Sequence, residues 1–167
     1  MDEPSEPTAP ASNDSFDRSF LFRQQLWRLN HALEQLSSRM DRHLGVTAQQ
    51  LGVLRCIALR PGLRPGELAK ILRVDRGTVS AALGRLETKG LVERRRSRED
   101  LRLVSVWLTA SAEPYLALKR GTVEAALARW LEEVAAADVE VAASVLDRLS
   151  HMLHHEAELT TRGSGPA

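Results

Sequence analysis

The sequence predicts a mainly α-helical fold with one small β-hairpin. Over most of the 167 residues, apolar side chains recur at intervals of three and four, the spacing that places them on one face of a helix. Residues 103–108 (LVSVWL) instead alternate between two sets of side chains, which is the pattern of a β-strand. A hydrophobic content of 43% is enough for the core of one compact domain.

The first predicted helix covers residues 16–44. Its apolar residues are spaced by four and three positions in turn and form a seam, which consists of Phe22, Leu26, Leu29, Leu33, Leu36 and Met40. A sustained seam of this kind fits pairing with a partner helix better than it fits a solitary surface helix. Gly45 predicts the end of the helix.

Both ends of the chain are predicted to lack regular structure. Residues 1–15 contain four acids and three prolines but no apolar run, which predicts a disordered tail and excludes a secretory or transit peptide. Residues 160–167 are predicted to form a second flexible tail. No stretch approaches the roughly eighteen apolar residues of a membrane span, so we expect a soluble, cytoplasmic protein with no membrane partner.

The middle of the chain predicts a helix-turn-helix. Thr47 is placed to cap one helix, and a short helix starting near Pro65 follows it. After a three-residue turn, residues 73–75, another helix closes at Lys89 and Gly90. The residues predicted to face inward are Leu68, Ile71 and Leu72 in the first helix of the pair, and Val79, Ala82, Leu83 and Leu86 in the second. An ordinary helical hairpin is the alternative.

A β-hairpin is predicted directly after this pair of helices. Residues 91–95 (LVERR) and 103–108 can form its two strands. The segment ERRRSREDLR, residues 93–102, then lies at the tip and contains five arginines and three acids. A hairpin in this position makes the motif a winged helix-turn-helix, which is more specific than two paired helices alone.

Two further helices are predicted after the hairpin. One covers residues 111–134, with Thr109 or Ser111 near its cap and Pro114 in its first turn, where proline is tolerated. Asp138 is predicted to cap the last helix. The apolar seam of that helix includes Ala142, Val145, Leu149, Met152 and Leu153.

Charge is distributed unevenly along the chain. The net charge is only +1, but residues 60–103 contain twelve Lys and Arg against six Asp and Glu, so that the remainder is acidic. A basic middle between acidic ends predicts a polyanionic partner for the middle. The sequence contains no recognisable nucleophile–base pair, phosphate-binding loop or metal cluster, so we do not expect an enzyme.

Residues 46–109 resemble the MarR family of bacterial regulators. The matching motifs are ELAKIL, the turn and helix VDRGTVSAALGRLETKGLVERR, and the wing EDLRLVSVWLT with its D-x-R. The resemblance implies one MarR-like domain over residues 16–159, in which residues 46–109 form a winged DNA-binding lobe. Residues 16–44 and 110–159 would be dimerisation helices.

The resemblance also implies a function, that of a sequence-specific DNA-binding transcriptional regulator. It would be a ligand-responsive repressor that acts as a homodimer on a pseudo-palindromic operator, with one recognition helix of each subunit in the major groove and one wing in the minor groove. Expected partners are double-stranded DNA, a second copy of the chain and a small aromatic or phenolic effector, with no cofactor. The alternatives are a winged-helix module used only for protein contacts, and a metal- or redox-sensing regulator.

The recognition helix and the wing supply the candidate DNA contacts. Arg76 is the candidate for a guanine, because a guanidinium can engage O6 and N7 together. Arg102 is the candidate for the minor groove, with Asp100 accepting a hydrogen bond that holds it extended. The full set is Arg64, Lys70, Arg76, Gly77, Thr78, Ser80, Arg85, Lys89, Arg94, Arg95, Arg96, Arg98, Asp100 and Arg102. For each cation, a solvated surface charge is the alternative.

Three positions depart from the family pattern. Arg73 stands in the turn where glycine is usual, which predicts a non-glycine residue with positive φ. Ala81 stands where arginine is common and removes a candidate base contact, and Leu101 stands where the wing often has a further arginine. These departures bear on the target sequence and not on the class of protein.

Other candidate sites are less specific. Trp27 and His31 lie four residues apart on the first helix and are placed to line an effector cleft, although interface core and a surface histidine are the ordinary roles. One helix face carries three possible metal ligands, His151, His155 and Glu158. Such a run is usually a polar helix end, so no metal site is predicted. Cys56 is the single cysteine, and a buried small hydrophobe is favoured over a redox sensor.

Overall fold

The structure is a computed structural model, and it describes residues 12–96 and 103–162. The described elements are α1 (Ser12–Leu44), α2 (Ala48–Leu59), α3 (Pro65–Leu72), α4 (Arg76–Thr88), β1 (Val92–Arg96), β2 (Val104–Leu108), a short 3-10 helix (Ala110–Ala112), α5 (Glu113–Leu116), α6 (Val123–Glu133) and α7 (Ala136–Arg162). The chain divides into two compact units, the first ending at Val123 and the second beginning at Glu124. The described helices and strands confirm the predicted mainly α-helical fold with one small β-hairpin.

Helix α1 is rooted in the core only at its C-terminal end. Of the predicted seam, Met40 is buried and Leu36 is half-buried, whereas Phe22, Leu29 and Leu33 are 40–49% exposed. The helix starts at Ser12 and so includes four residues that we expected in the disordered tail. It ends as predicted, since Gly45 follows it with φ +72.

The start of α2 is fixed by a capping box. Oγ1 of Thr47 accepts the N–H of Gln50 at 3.2 Å, and Oε1 of Gln50 accepts the N–H of Thr47 at 3.2 Å. Two otherwise orphaned donors of the first turn are satisfied in this way. The cap predicted from Thr47 is therefore confirmed.

The pair α3 and α4 forms the predicted helix-turn-helix around a shared core. All four residues of the predicted α4 stripe, Val79, Ala82, Leu83 and Leu86, are at most 2% exposed. In α3, Leu68 and Ala69 are buried, but Ile71 is 42% exposed, so its predicted inward position is wrong. Burial at this level makes truncation of Leu83 to alanine costly, about 2–5 kcal/mol.

The hairpin that follows α4 is attached to the helices by backbone hydrogen bonds. Its strands are antiparallel, with Val92 opposite Leu108 and Arg96 opposite Val104. The N–H of Gly62 donates to the carbonyl of Val106 at 3.1 Å, and the N–H of Val106 donates to the carbonyl of Leu63 at 2.9 Å. The segment between α2 and α3 thus pairs with β2, which joins the described strands of the hairpin to the helix-turn-helix.

The region after the wing departs from the single helix that the sequence predicted over residues 111–134. A short 3-10 helix and α5 are followed by a break before α6, and Gly121 in that break has φ +73. The guanidinium of Arg55 on α2 donates to the carbonyl of Leu118 at 3.3 Å, which gives this carbonyl a partner outside a helix. A left-handed glycine together with this tertiary bond explains why the helix is interrupted.

The second unit consists of α6 from Glu124 onward and α7. Helix α7 begins at Ala136, and the N–H of Asp138 donates to the carbonyl of Ala135, so Asp138 lies in the first turn and its predicted capping role is wrong. Apolar side chains on both helices are exposed, among them Leu127, Trp130, Leu131, Val145, Met152 and Leu153. Within residues 12–96 and 103–162, no helix has the length and apolar content needed to cross a membrane.

Gly62→Ala tests the packing of the wing against the helix-turn-helix. Gly62 has φ +82, and a Cβ at this position would lie 2.9 Å from Cζ2 of Trp107. We expect the substitution to lower the free energy of unfolding by about 1–2 kcal/mol, because left-handed backbone disfavours a side chain and Trp107 must move. Urea unfolding followed by circular dichroism measures the change.

Gly66→Ala is the matched control for this substitution. A Cβ at Gly66 meets no atom within 4 Å, and alanine is favoured over glycine inside a helix by about 1 kcal/mol. The control should therefore be neutral or stabilising. Equal effects at the two glycines would contradict the proposed packing of Trp107.

Candidate nucleic-acid interface

The outer surface of α4 is formed by small and basic residues near its N-terminus. Arg76, Gly77, Ser80 and Ala81 are exposed, and Thr78 is half-buried. They lie outward because the buried stripe of the same helix faces the core. The predicted base-reading residues are thus brought together on one accessible surface.

The N-terminus of α4 is held by Asp75, which the sequence placed in the turn without a role. Its carboxylate accepts the N–H of Thr78 at 2.7 Å and also the hydroxyl proton of Thr78. These hydrogen bonds from Thr78 hold the pKa of Asp75 below its ordinary range. The hydroxyl of Thr78 therefore already donates to an acceptor within the protein. The methyl group of the same side chain takes no part in that hydrogen bond.

Three other predicted phosphate contacts are exposed side chains around the helix-turn-helix. Arg64 precedes α3, and its backbone N–H donates to Glu67 at 2.7 Å. Lys70 lies in the last turn of α3, and Arg85 lies on the exposed side of α4. These three residues therefore supply exposed cations on both helices of the helix-turn-helix or directly before it.

Lys89 differs from these cations, because its ammonium is engaged within the protein. Nζ donates to the carbonyl of Gly45 at 2.5 Å and to Oε1 of Gln50 at 3.0 Å, and Asp41 lies 3.8 Å away. The sequence could not indicate these contacts, since Gly45 is 44 residues distant from Lys89.

The arginines of the wing are sorted onto two faces by the strand register. Arg94 pairs with Val106 and Arg96 with Val104, so these two arginines share the face that carries the buried Val106. Nε of Arg94 lies 3.3 Å from Oε2 of Glu87 on α4. Arg96 is exposed at the distal end of the same face.

Arg95 lies on the opposite face and contacts two neighbours there. Its Nε donates to Oε1 of Glu93 at 2.7 Å, and its guanidinium carbon lies 4.8 Å from the ring centroid of Trp107. Nε1 of Trp107 in turn donates to Oγ of Ser105 at 3.0 Å. Sequence reasoning missed Glu93 and Trp107 as partners of Arg95, although both occupy the same strand face by alternation.

The remaining wing candidates, Arg98, Asp100 and Arg102, lie outside the described residues. Their predicted roles at the minor groove stay predictions. Leu101, one of the departures from the family pattern, also lies outside them.

The predicted effector residues lie on α1. Trp27 is 75% exposed, and together with Arg28 and His31 it lines a surface depression of about 260 Å³. Nε2 of Gln35 donates to Nε2 of His31 at 2.8 Å. The depression is shallow, because all three lining residues belong to one helix.

The remaining candidate sites are the histidines of α7 and Cys56. His151 and His155 are exposed on α7, and the described part of the chain holds no group of three His, Cys, Asp or Glu that could bind a metal. Cys56 is half-buried, and burial raises the pKa of its thiol while Arg60 opposes the shift. A raised pKa disfavours the reactive thiolate.

Comparison with known proteins places this site in a family. A sequence model of a protein family, described as MarR family, matches residues 44–103 of this chain. The chain is 35% identical over 97 residues to the transcriptional regulator HosA of Escherichia coli, across 58% of the chain and 64% of HosA. It is 32% identical over 99 residues to the multiple antibiotic resistance protein MarR of Salmonella typhimurium, across 59% of the chain and 69% of that protein. The chain belongs to the MarR family.

The fold agrees with membership of the MarR family. A crystal structure of a mutant MarR from Escherichia coli complexed with operator DNA matches with a TM-score of 0.61 at 28% identity. The match covers 80% of this chain and 96% of that one. The aligned segment of HosA is, by contrast, less than two thirds of its length.

Arg73 is the departure from the MarR pattern that the structure explains. It is the C-cap of α3 with φ 51 and ψ 43, and among the described residues it is the one non-glycine with positive φ. The predicted left-handed residue is confirmed. An arginine therefore occupies a backbone conformation that favours glycine.

Arg73→Gly should raise the free energy of unfolding by about 0.5–1 kcal/mol. Left-handed backbone costs a side chain about 1–2 kcal/mol, which exceeds the roughly 0.5–1 kcal/mol of additional entropy that glycine loses on folding. Arg73→Ala is the control, because it removes the same side chain and keeps the Cβ. Thermal unfolding of both variants measures the difference, and a glycine variant less stable than the alanine variant would show that the turn is not strained.

Proposed function

We propose that this protein is a homodimeric, sequence-specific DNA-binding transcriptional regulator that acts as a repressor on a pseudo-palindromic operator. One observation carries the proposal. Helix α4 buries its entire inward stripe and presents Arg76, Gly77, Ser80 and Ala81 on an open surface next to a basic wing. A helix with small residues beside an arginine can approach base edges closely enough for that arginine to reach a guanine.

The charge around α4 supports binding to the DNA backbone. Arg64, Lys70, Arg85 and Arg96 are exposed around the helix or on the adjoining wing face. Cations in this arrangement suit phosphates on either side of a groove, which position the protein without reading sequence. The crystal structure of MarR complexed with operator DNA supports the same assignment.

The exposed apolar residues support a homodimer. Phe22, Leu29 and Leu33 on α1 remain accessible to solvent in a single chain, as do Trp130 on α6 and Leu153 on α7. Large apolar side chains exposed on successive helices indicate surfaces that a partner covers. A second copy with the same helices would cover them and place two α4 helices about one turn of DNA apart.

An effector site on α1 forms part of the proposal. Trp27 supplies an exposed ring and Arg28 a guanidinium at the rim of the same depression. A ring and a cation side by side suit a small aromatic or phenolic anion. Release of bound DNA by phenolic acids tests this part separately.

Fluorescence anisotropy tests the proposed DNA binding. We expect the wild-type protein to bind labelled duplex with an affinity that falls linearly on a log–log plot as salt rises from about 50 mM to about 300 mM. Arg76→Ala should cost about 1–3 kcal/mol on the selected operator and relax preference at one base pair. Arg85→Ala should weaken all sequences alike and reduce the salt slope by about one.

The contrast between the two variants provides the internal control. Both substitutions remove one exposed arginine from the same helix, so a general effect of charge would change them equally. Equal losses on all sequences would contradict the base-reading role of Arg76. Undetectable binding by the wild-type protein at low salt would instead favour the winged helix as a protein-interaction module.

A further inference from the structure

The ammonium of Lys89 contacts acceptors from other elements. Nζ donates to the main-chain carbonyl of Gly45 at 2.5 Å and to Oε1 of Gln50 at 3.0 Å. Oδ1 of Asp41 lies 3.8 Å from the same nitrogen and forms an ion pair with it. Two of the three donors of the ammonium are therefore used within the protein.

The acceptors belong to the corner at which α1 ends and α2 begins. Asp41 lies in the last turn of α1, and Gly45 follows that helix. Gln50 is 2% exposed and uses the same Oε1 to accept the N–H of Thr47 in the capping box of α2. Lys89 therefore joins the end of α4 to the corner at which α1 enters the core.

The main chain at Lys89 is held independently of its side chain. The N–H of Lys89 donates to the carbonyl of Arg85 at 3.1 Å, and that of Leu91 donates to the carbonyl of Leu86 at 2.9 Å. Leu91 is buried, and Gly90 turns the chain with φ +67. The side chain thus extends to the corner from a fixed point.

We propose that Lys89 is a positioning residue for DNA binding, which sets the orientation of α4 relative to the C-terminal end of α1 and does not bind phosphate itself. The inference rests on the proposed function and replaces the expectation that Lys89 contacts phosphate. A phosphate contact would draw the ammonium away from its two hydrogen-bond acceptors and from the carboxylate of Asp41. Of the acceptors, Gln50 is buried and would lose a donor that water cannot readily replace.

The contacts of Lys89 affect DNA binding because they join the end of α4 to the C-terminal end of α1. Helix α1 carries the exposed apolar seam through which we propose that two chains associate. Its C-terminal end, with Met40 buried and Leu36 half-buried, packs into the hydrophobic core that α4 also enters. Without Lys89, the angle between that end and α4 is less restricted, and so is the separation of the two recognition helices in a dimer.

The test compares Lys89→Met with Arg85→Met in the full-length chain. The probe is the duplex that the wild-type protein selects from a random library. Methionine keeps an unbranched stem and removes the charge in both variants. We expect Lys89→Met to weaken binding roughly tenfold, equivalent to one charge-assisted hydrogen bond, with an unchanged salt slope. Arg85→Met should instead reduce the slope by about one.

A spacing series separates positioning from a general loss of stability. Duplexes whose half-sites are moved apart by about one or two base pairs lose affinity when the two recognition helices are rigidly placed. We expect Lys89→Met to flatten this dependence at a temperature where circular dichroism shows it folded. An unchanged spacing dependence, or a salt slope that falls as in Arg85→Met, would overturn the inference.

Asp41→Asn provides a second variant that keeps Lys89 in place. Removal of an acid should by itself strengthen binding to a polyanion. Because this gain would be the same for every half-site spacing, the positioning role predicts a flatter spacing dependence than that of the wild type, and an unchanged dependence would overturn it. A wild-type protein that binds no duplex would overturn the proposed function and this inference together, whereas normal wild-type binding with an unaffected Lys89→Met overturns this inference alone.

Discussion

Burial of the inward stripe of α4 is the interaction on which the rest of the structure depends. Leu83 and Leu86 are fully buried in one core with Leu54 of α2, Leu68 of α3 and Val92 of β1. Because one face of α4 packs against α2, α3 and β1, the opposite face is left outward and held in one orientation. The candidate DNA surface is thus a direct result of how the core is filled.

The hairpin carries several arginines, but not every guanidinium group is available to bind DNA. Glu87 engages Arg94, and Glu93 together with Trp107 engages Arg95, while Arg96 remains exposed. The acids among these arginines fix individual guanidinium groups and reduce the unpaired charge near the helix. Pairing of Gly62 and Leu63 with Val106 keeps this arrangement in register with α3 and α4.

Local patterns were enough to predict most of the helix-turn-helix. Periodicity predicted the stripe of α4, side-chain chemistry predicted the cap at Thr47, and the family motif predicted the left-handed Arg73. Each of these features depends on residues that are close together in the sequence. Features set by distant contacts were not predictable in this way. The interruption before Gly121 involves Arg55 from α2, and the engagement of Lys89 involves Gly45 and Gln50, which are remote in sequence. The exposure of Ile71 was not predicted, because the spacing of apolar residues shows which side of a helix is buried but not how wide the buried surface is.

We propose that the outward α4 surfaces of the two chains of a dimer enter successive major grooves. Methylation protection with dimethyl sulfate on the selected operator tests this most directly, because N7 of guanine lies in the major groove. We expect two patches of guanine N7 protection with centres about ten base pairs apart, and loss of one guanine from each patch in Arg76→Ala. Protection of a single patch, or binding without any protection of guanine N7, would contradict it.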